Sequence, residues 1–404
     1  MKNNNKQCQS IFLANKIIRK ILLLMTIFLI ITITSFGGLF ASSDSVYIAN
    51  ASVLQNENNS PNYPTILNPY RYIDWETVGS YRAQLHVHTD RSDGKHSPAY
   101  NIARYQELGF HFLALTEHNR VTYPWSRFGH VPTPNEGGLF DGLTIQAVIG
   151  NELSRSHHAI SLFSDFRARP LIHVESHATM RALSRHNSQG RAILAHPGRY
   201  VPNLRLLDFP LWPHNLNYYV GMFMSHQNLL GLEVFSQNDR HRNDRILWDR
   251  ILNRTMPYRL VWAFAADDNH GEHFGFNKVT ALLEEPTVPN LQKNLDMGAF
   301  TASSFGRFDP AILDTRHGAA GARWDYVPRL ERVEVCDETG YITIIAANYT
   351  DIVWTTYNGI IAGTGNTLNY RGNPTLKRFV RVTMTNYIDG VLVATTLLQP
   401  FGLI

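Results

Sequence analysis

The sequence predicts an α/β fold: a barrel of about seven βα units, followed by a small all-β, sandwich-like domain. Three observations point there. Short apolar runs alternate with helical patterns between residues 81 and 305. Polar residues of one chemical kind recur where those apolar runs end. From residue 328 the helical patterns stop, and short β-rich runs are separated by Gly, Asn and Asp turns.

The chain opens with a basic head. Lys2, Lys6, Lys16, Arg19 and Lys20 precede the apolar run Ile21 to Thr34 and the small-residue exit around Ala41-Ser42. That order predicts a secretory signal spanning residues 1–41, cleaved after Ala41. The alternative is a retained membrane anchor, since Ile21 to Phe40 is long enough to cross a bilayer. Both place the remainder outside the cytoplasm: periplasmic, at the cell surface or secreted. The formal charge of +4 comes from this head, and the rest of the chain is close to neutral. No basic footprint for nucleic acid is left. Of the two cysteines, Cys8 lies in the head, so Cys336 stands alone in the mature chain. This excludes an internal disulfide and a cysteine metal site.

Residues 42–80 are rich in Asn, Ser, Pro and Tyr and read as an extended linker. The predicted barrel strands are Arg82–His88, Phe112–Thr116, Thr144–Gly150, Ala159–Phe163, Ala192–His196, Gly231–Phe235 and Val261–Ala266. Helical patterns cover Pro98–Leu108, His173–Arg185 and Arg242–Asn253, and the alternation predicts parallel pairing. Residues 306–327 form a connector. In 328–404 the runs Leu330–Cys336, Tyr341–Asn348, Ile352–Thr356, Arg378–Thr385 and Val391–Leu398 predict strands, the last two joined through the Asp389-Gly390 turn.

The chemistry is concentrated at the predicted strand ends. His86 and His88 lie two residues apart on one strand, so both rings project from the same face. Asp93 follows in a Ser92-Asp93-Gly94 turn. Other strands end in Thr116-Glu117-His118, in Gly150-Asn151-Glu152, in His196-Pro197-Gly198-Arg199 and in Asp267-Asp268-Asn269-His270, while His157-His158 opens another. In a βα barrel these ends converge on one rim. Imidazoles and carboxylates without thiolates suit Zn, Mn or Fe, and so many ligands exceed what one ion can use.

These motifs, in this order, resemble the polymerase-and-histidinol-phosphatase (PHP) superfamily of metal-dependent phosphoesterases. The resemblance covers residues 81–305, and five motifs in order at strand ends are a specific signal. It implies a distorted (β/α)7 barrel with two or three divalent metal ions at its rim. By motif, one ion would take His86, His88, Glu152 and Asp268, with Glu152 bridging. A second would take Glu152, His158 and His196, and a third Asp93, His118 and His270. His157 competes with His158, which is preferred because Ala159 to Leu162 continues its strand. Asp267 competes with Asp268, which has the family's Asp-x-His spacing. Glu117 departs from the family, which has Asp before this histidine.

The tail extends the resemblance to a CehA/McbA-like branch, in which such a barrel precedes a small β-domain. The reaction implied is phosphoester hydrolysis by a metal-activated water, with Glu152 and Asp268 at its centre and Arg199 as the cation for an anionic small-molecule ester. Hydrolysis of a carbamate, amide or carboxylic ester at the same metals is the alternative. An inactive scaffold with a binding β-domain is a second. The remaining histidines read as packed or hydrogen-bonded, His241 as part of a solvated helix start, and Glu233 equally as a ligand's support or a simple rim carboxylate. The stretch Leu211 to Phe223 lacks a helical period and reads as packing on the barrel. The insertion Tyr123 to Gly142 lies over the same rim.

Overall fold

The computed structural model describes residues 65–128, 145–154, 157–168, 176–237, 240–271, 273–305 and 322–404. The predicted export segment, nearly all of the 129–142 stretch, His130, His173 and most of the 306–327 connector lie outside these residues. No described helix is long and apolar enough to cross a membrane.

The architecture is α/β. In the N-terminal part, β1 (Ile66–Leu67), β2 (Gly79–Gln84), β3 (Phe112–Leu113) and β4 (Gln146–Ala147) are followed by β5 (Gly150–Ser154) and β6 (His158–Leu162). Then come β7 (Arg191–Leu194), β8 (Leu229–Ser236), β9 (Trp262–Ala266), β10 (Asn277–Leu283) and β11 (Phe300–Phe305). Between them run α1 (Pro98–Glu107), α2 (Ser176–His186), α3 (Leu216–Ser225), α4 (Asn243–Thr255) and α5 (Val288–Met297). The C-terminal part contributes β12 (Arg329–Cys336), β13 (Tyr341–Ala347), β14 (Asp351–Thr356), β15 (Ile361–Thr364), β16 (Thr367–Asn369), β17 (Phe379–Ile388), β18 (Val391–Leu398) and β19 (Phe401–Leu403).

Local sequence explains the helix boundaries. Ser97 caps α1 by accepting from the Tyr100 N–H, and Pro98 occupies the first turn, where its missing N–H costs nothing. α5 starts behind Thr287 in the same way and stops at Gly298, whose φ of 73° favours glycine. The stretch read as lacking a helical period instead forms α3 from Leu216 onward. Asn215 caps it, and Tyr219, Met222 and Phe223 turn into the core. Its aromatic residues masked the period because both faces of the helix meet protein.

The strands form two main layers. β5-β6-β7-β8-β9 make one sheet, and β4-β3-β2-β10-β11 begin an 11-stranded one. Isolated bridges join the two at Val87–Asn269 and at His118–Glu152, where the candidate ligands lie. β2-β3-β4 and β7-β8-β9 are parallel. β5-β6-β7 and β11-β10-β2 are antiparallel, which differs from the all-parallel expectation. Ser154 and His158 are too close in sequence for a crossover, so β5 and β6 can only form a hairpin. β8 is buried along its whole length, as a strand covered on both faces must be.

The C-terminal strands continue the larger sheet. β18 pairs with β11 from Thr301–Leu398 to Phe305–Ala394, and β17, β19, β14 and β15 follow outward. β12-β13-β16 form a separate three-stranded sheet against them. Trp354, Ile342, Ile344, Met384 and Phe401 fill the space between these layers, each contributing roughly 1.5–3 kcal/mol by leaving water. Gln399 ties this part to β9: its side-chain amide accepts from the Ala263 N–H at 2.8 Å and donates to the Ala263 C=O at 2.9 Å.

Candidate metal centre

β2 runs on past Gln84 as Leu85 to His88. Val87 between the two histidines faces the core, so both imidazoles face the other way. The Thr116 N–H donates to the Val87 carbonyl at 2.8 Å, and the His88 N–H donates to the Asn269 carbonyl at 2.9 Å. Three strand ends are thereby locked edge to edge.

His86 is wholly buried. Its Nδ1 lies 2.7 Å from Glu233 Oε1, so the proton sits on Nδ1 and Nε2 carries the lone pair. That Nε2 stands 3.0 Å from His88 Nε2, 3.2 Å from Asp268 Oδ1 and 3.7 Å from Glu152 Oε1. Glu152 is the hub of the site. Its Oε1 is 2.8 Å from His158 Nδ1 and 3.2 Å from His196 Nε2, and its Oε2 is 2.6 Å from His118 Nδ1 and 3.5 Å from His88 Nε2. Asp93 lies 3.2 Å from His118 Nε2, 3.3 Å from His270 Nε2 and 3.5 Å from His88 Nδ1.

The nine sequence-predicted donors therefore meet in one place, but their grouping differs from the motif-based partition. Donor atoms close enough to share an ion fall into four sets: His86/His88/Asp268, His86/Glu152/His196, His118/Glu152/His158 and His88/Asp93/His118/His270. His158 thus shares Glu152 with His118 rather than with His196. His88 faces both the first set and the last.

The residues present fit divalent cations. Two buried imidazole nitrogens turned toward each other at 3.0 Å, with carboxylate oxygens closing the gap, leave a place that a cation satisfies and a single proton does not. Asp268 Oδ1 is buried without a hydrogen-bond donor. Burial alone would push the His86 imidazolium down; Asp268, Glu233 and Glu152 outweigh it and raise its pKa to about 10. Burial likewise opposes ionisation of Glu152, yet His118, His158 and His196 hold its carboxyl well below the usual range.

The supporting groups have distinct tasks. Glu233 also accepts from the His196 N–H at 2.9 Å, so one carboxylate positions two ligands. Gln237 donates to Asp268 Oδ2 at 2.7 Å. Glu117 does not contact His118. It accepts from the Thr89 N–H at 3.2 Å and from the hydroxyls of Thr89 and Ser92, shaping the turn that presents Asp93. His196 and Asp268 both have left-handed backbones, with φ of 31° and 45°.

The two competing residues point elsewhere. His157 is directed at the His158 carbonyl and the Tyr219 hydroxyl, at 2.8 and 3.2 Å, and packs on the Tyr200 ring. Asp267 accepts from the Gly275, Phe276 and Asn277 N–H groups and from the Tyr105 hydroxyl, a structural role beneath the site.

Over the donors lies a cavity of about 480 Å³ whose mouth carries Lys95, Arg199, Arg240 and His241. Arg199 is exposed there, on the turn after His196. That turn is tight. The Gly198 N–H donates to the buried Asp244 carboxylate, and a Cβ on Gly198 would fall 2.6 Å from Asp244 Oδ1 and 3.1 Å from His241 Cβ. Arg240 and His241 are the residues that sequence reading missed. They sit in a basic run that resembles a solvated helix start, yet the His241 ring lies 6.2 Å from that of His196. Their distance beyond β8 was the one available signal.

No protein-family profile and no curated protein matches the chain. Among solved structures, a two-domain protein from Bacteroides vulgatus, with a domain predicted to be a PHP-like metal-dependent phosphoesterase, is 13% identical. The match covers 84% of this chain and 99% of that one, at a TM-score of 0.41. An amidohydrolase from Chromobacterium violaceum, solved with sulfate and no metal, is 14% identical over 47% of this chain and 87% of its own, at 0.30. A protein from Bifidobacterium adolescentis, assigned as a metal-dependent phosphoesterase, is 15% identical over 47% and 87%, at 0.32. The motifs and the first of these neighbours name the same superfamily.

Proposed function

We propose that the chain is a metal-dependent hydrolase acting on phosphoesters, exported by its N-terminal segment. One observation carries the reading: nine imidazole and carboxylate side chains converge on Glu152 and Asp268 beneath a cavity with a cationic mouth. A carbonyl substrate without charge would have no use for that mouth, which favours phosphoester over carbamate, amide or carboxylic ester.

Two or three ions of the zinc, manganese or iron type would be held by the four donor sets, with Glu152 shared between them. Bound there, such ions supply Lewis acidity toward a phosphoryl oxygen and lower the pKa of a water to near neutrality. The chain's own residues do the rest. Glu233 fixes the His86 tautomer and the His196 backbone, so both rings offer lone pairs without rearrangement. Asp268, held by Gln237, keeps one oxygen free of donors and directed at His86 and His88. Arg199 presents a planar fork to the non-bridging oxygens, where charge accumulates during phosphoryl transfer.

The purified protein should contain at least two transition-metal equivalents and should hydrolyse phosphomono- or phosphodiesters with Mn²⁺ or Zn²⁺. The His86→Ala/His88→Ala variant should lose metal and activity while keeping its circular dichroism spectrum. Carboxylic esters turned over with phosphoesters untouched would reverse the ranking of substrates. Neither metal nor hydrolysis would leave the scaffold reading standing.

A further inference from the structure

The cationic character of the site does not stop at the mouth of the cavity. A second depression of about 430 Å³ adjoins it and shares Arg199, Arg240 and His241 with it. Gly198, Arg199 and Pro202 form one wall, and Arg240 to Asn243 form the other. Arg242 lines only this second depression. Three guanidinium groups border it, and no carboxylate does among the described residues. Asp244, next in the chain, is buried and turned away toward the Gly198 N–H.

The groove is held in register with the metal centre. The Arg240 guanidinium donates to Gln237 Oε1 at 3.3 Å, and Gln237 in turn holds Asp268. The opposite wall is fixed where Gly198 packs against Asp244 and His241. A phosphoryl group seated on the metal ligands occupies the first cavity and, with Arg199, is already neutralised. It leaves Arg242 and the far side of Arg240 unused. Like charges gathered along one groove repel each other until an anion lies between them, and guanidinium forks suit phosphate and carboxylate oxygens.

We propose that this groove is a second anion subsite, so that the preferred substrates are phosphoesters carrying a second phosphate or carboxylate group a few bonds from the scissile phosphate. The proposal rests on the phosphoesterase reading for what occupies the first cavity. Arg242, at the far end, selects for the distal charge, and Arg199 and Arg240 lie between the two anions.

Calorimetry on the metal-loaded full chain tests it with three non-hydrolysable probes: propylphosphonate, propane-1,3-bisphosphonate and 4-phosphonobutyrate. The expected result is binding of at least one doubly anionic probe about tenfold or more tighter than propylphosphonate, from one added charge-assisted contact. The two dianions distinguish a distal phosphate from a distal carboxylate. The ratio should collapse in Arg242→Ala and in Arg240→Ala/Arg242→Ala and be largely kept in Arg242→Lys, with unchanged melting temperatures confirming folded variants. Equal affinities overturn the proposal. So does a preference that survives the double variant, because the second phosphonate is then chelating metal. Phosphoester turnover without any preference sinks the subsite alone. An arginine-dependent preference in a protein that hydrolyses no phosphoester sinks the activity and keeps the subsite.

Discussion

Glu233 and His86 form a buried pair, 2.7 Å apart, in which the carboxylate takes the Nδ1 proton and leaves Nε2 facing the centre of the site. The same carboxylate's other oxygen accepts from the His196 backbone. One side chain on β8 therefore sets the orientation of two ligands on two other strands.

The first prediction follows from that pair. Glu233→Gln should lower metal affinity by about 10- to 100-fold, the usual cost of losing such a partner. The amide cannot accept from both His86 and the His196 N–H in the present geometry. Competition against a fluorescent chelator measures the change. Affinity within twofold of wild type would show that the pair is packing rather than support.

Removing the ions should destabilise the fold reversibly. Cations bound to the native state alone add about 4 kcal/mol when present at a thousandfold excess over their dissociation constant. Without them, imidazoles and carboxylates are left facing one another in a buried site. Scanning calorimetry before and after EDTA should record a lower Tm, restored by adding Mn²⁺ or Zn²⁺. An unchanged Tm would argue against resident ions.

Gln399 is predicted to anchor the C-terminal strands to β9. Gln399→Ala would leave both the N–H and the C=O of Ala263 unpaired in a buried setting. That should cost about 2–4 kcal/mol, read as a lower urea midpoint with an unchanged slope. A loss under about 0.5 kcal/mol would mean that water or a neighbouring strand takes over.

Gly198→Ala should damage activity more than metal binding. The added methyl meets Asp244 and His241, so the turn carrying Arg199 must shift, and misplacement of about 1 Å can cost up to a hundredfold in rate. Metal content per chain and kcat/KM measured side by side separate the two effects. A parallel fall in both would place the damage at His196 instead.

The donor residues were legible because metal sites repeat local patterns: a histidine pair two apart on a strand, and a carboxylate or histidine where an apolar run stops. Sequence also distinguished His158 from His157 by the strand that follows it, and the structure turns the His158 ring, not that of His157, toward Glu152. What sequence could not convey was pairing at long range. Nothing local indicates that β6 and β7 run antiparallel, that β18 joins β11, or that Gln399 stands in for a strand. Arg240 and His241 were illegible for another reason. A basic run before a helix looks solvated unless one knows that Gly198, from a distant turn, packs against it.

The left-handed backbone at His196 and Asp268 has a consequence for anyone engineering this chain. A residue with a side chain in that conformation costs on the order of 1 kcal/mol relative to glycine, and here the cost falls on two donor positions. Selection for heat resistance alone would reward glycine at both, and each gain would delete a ligand. A stability screen without an activity gate would therefore dismantle the metal centre while improving the protein it came from.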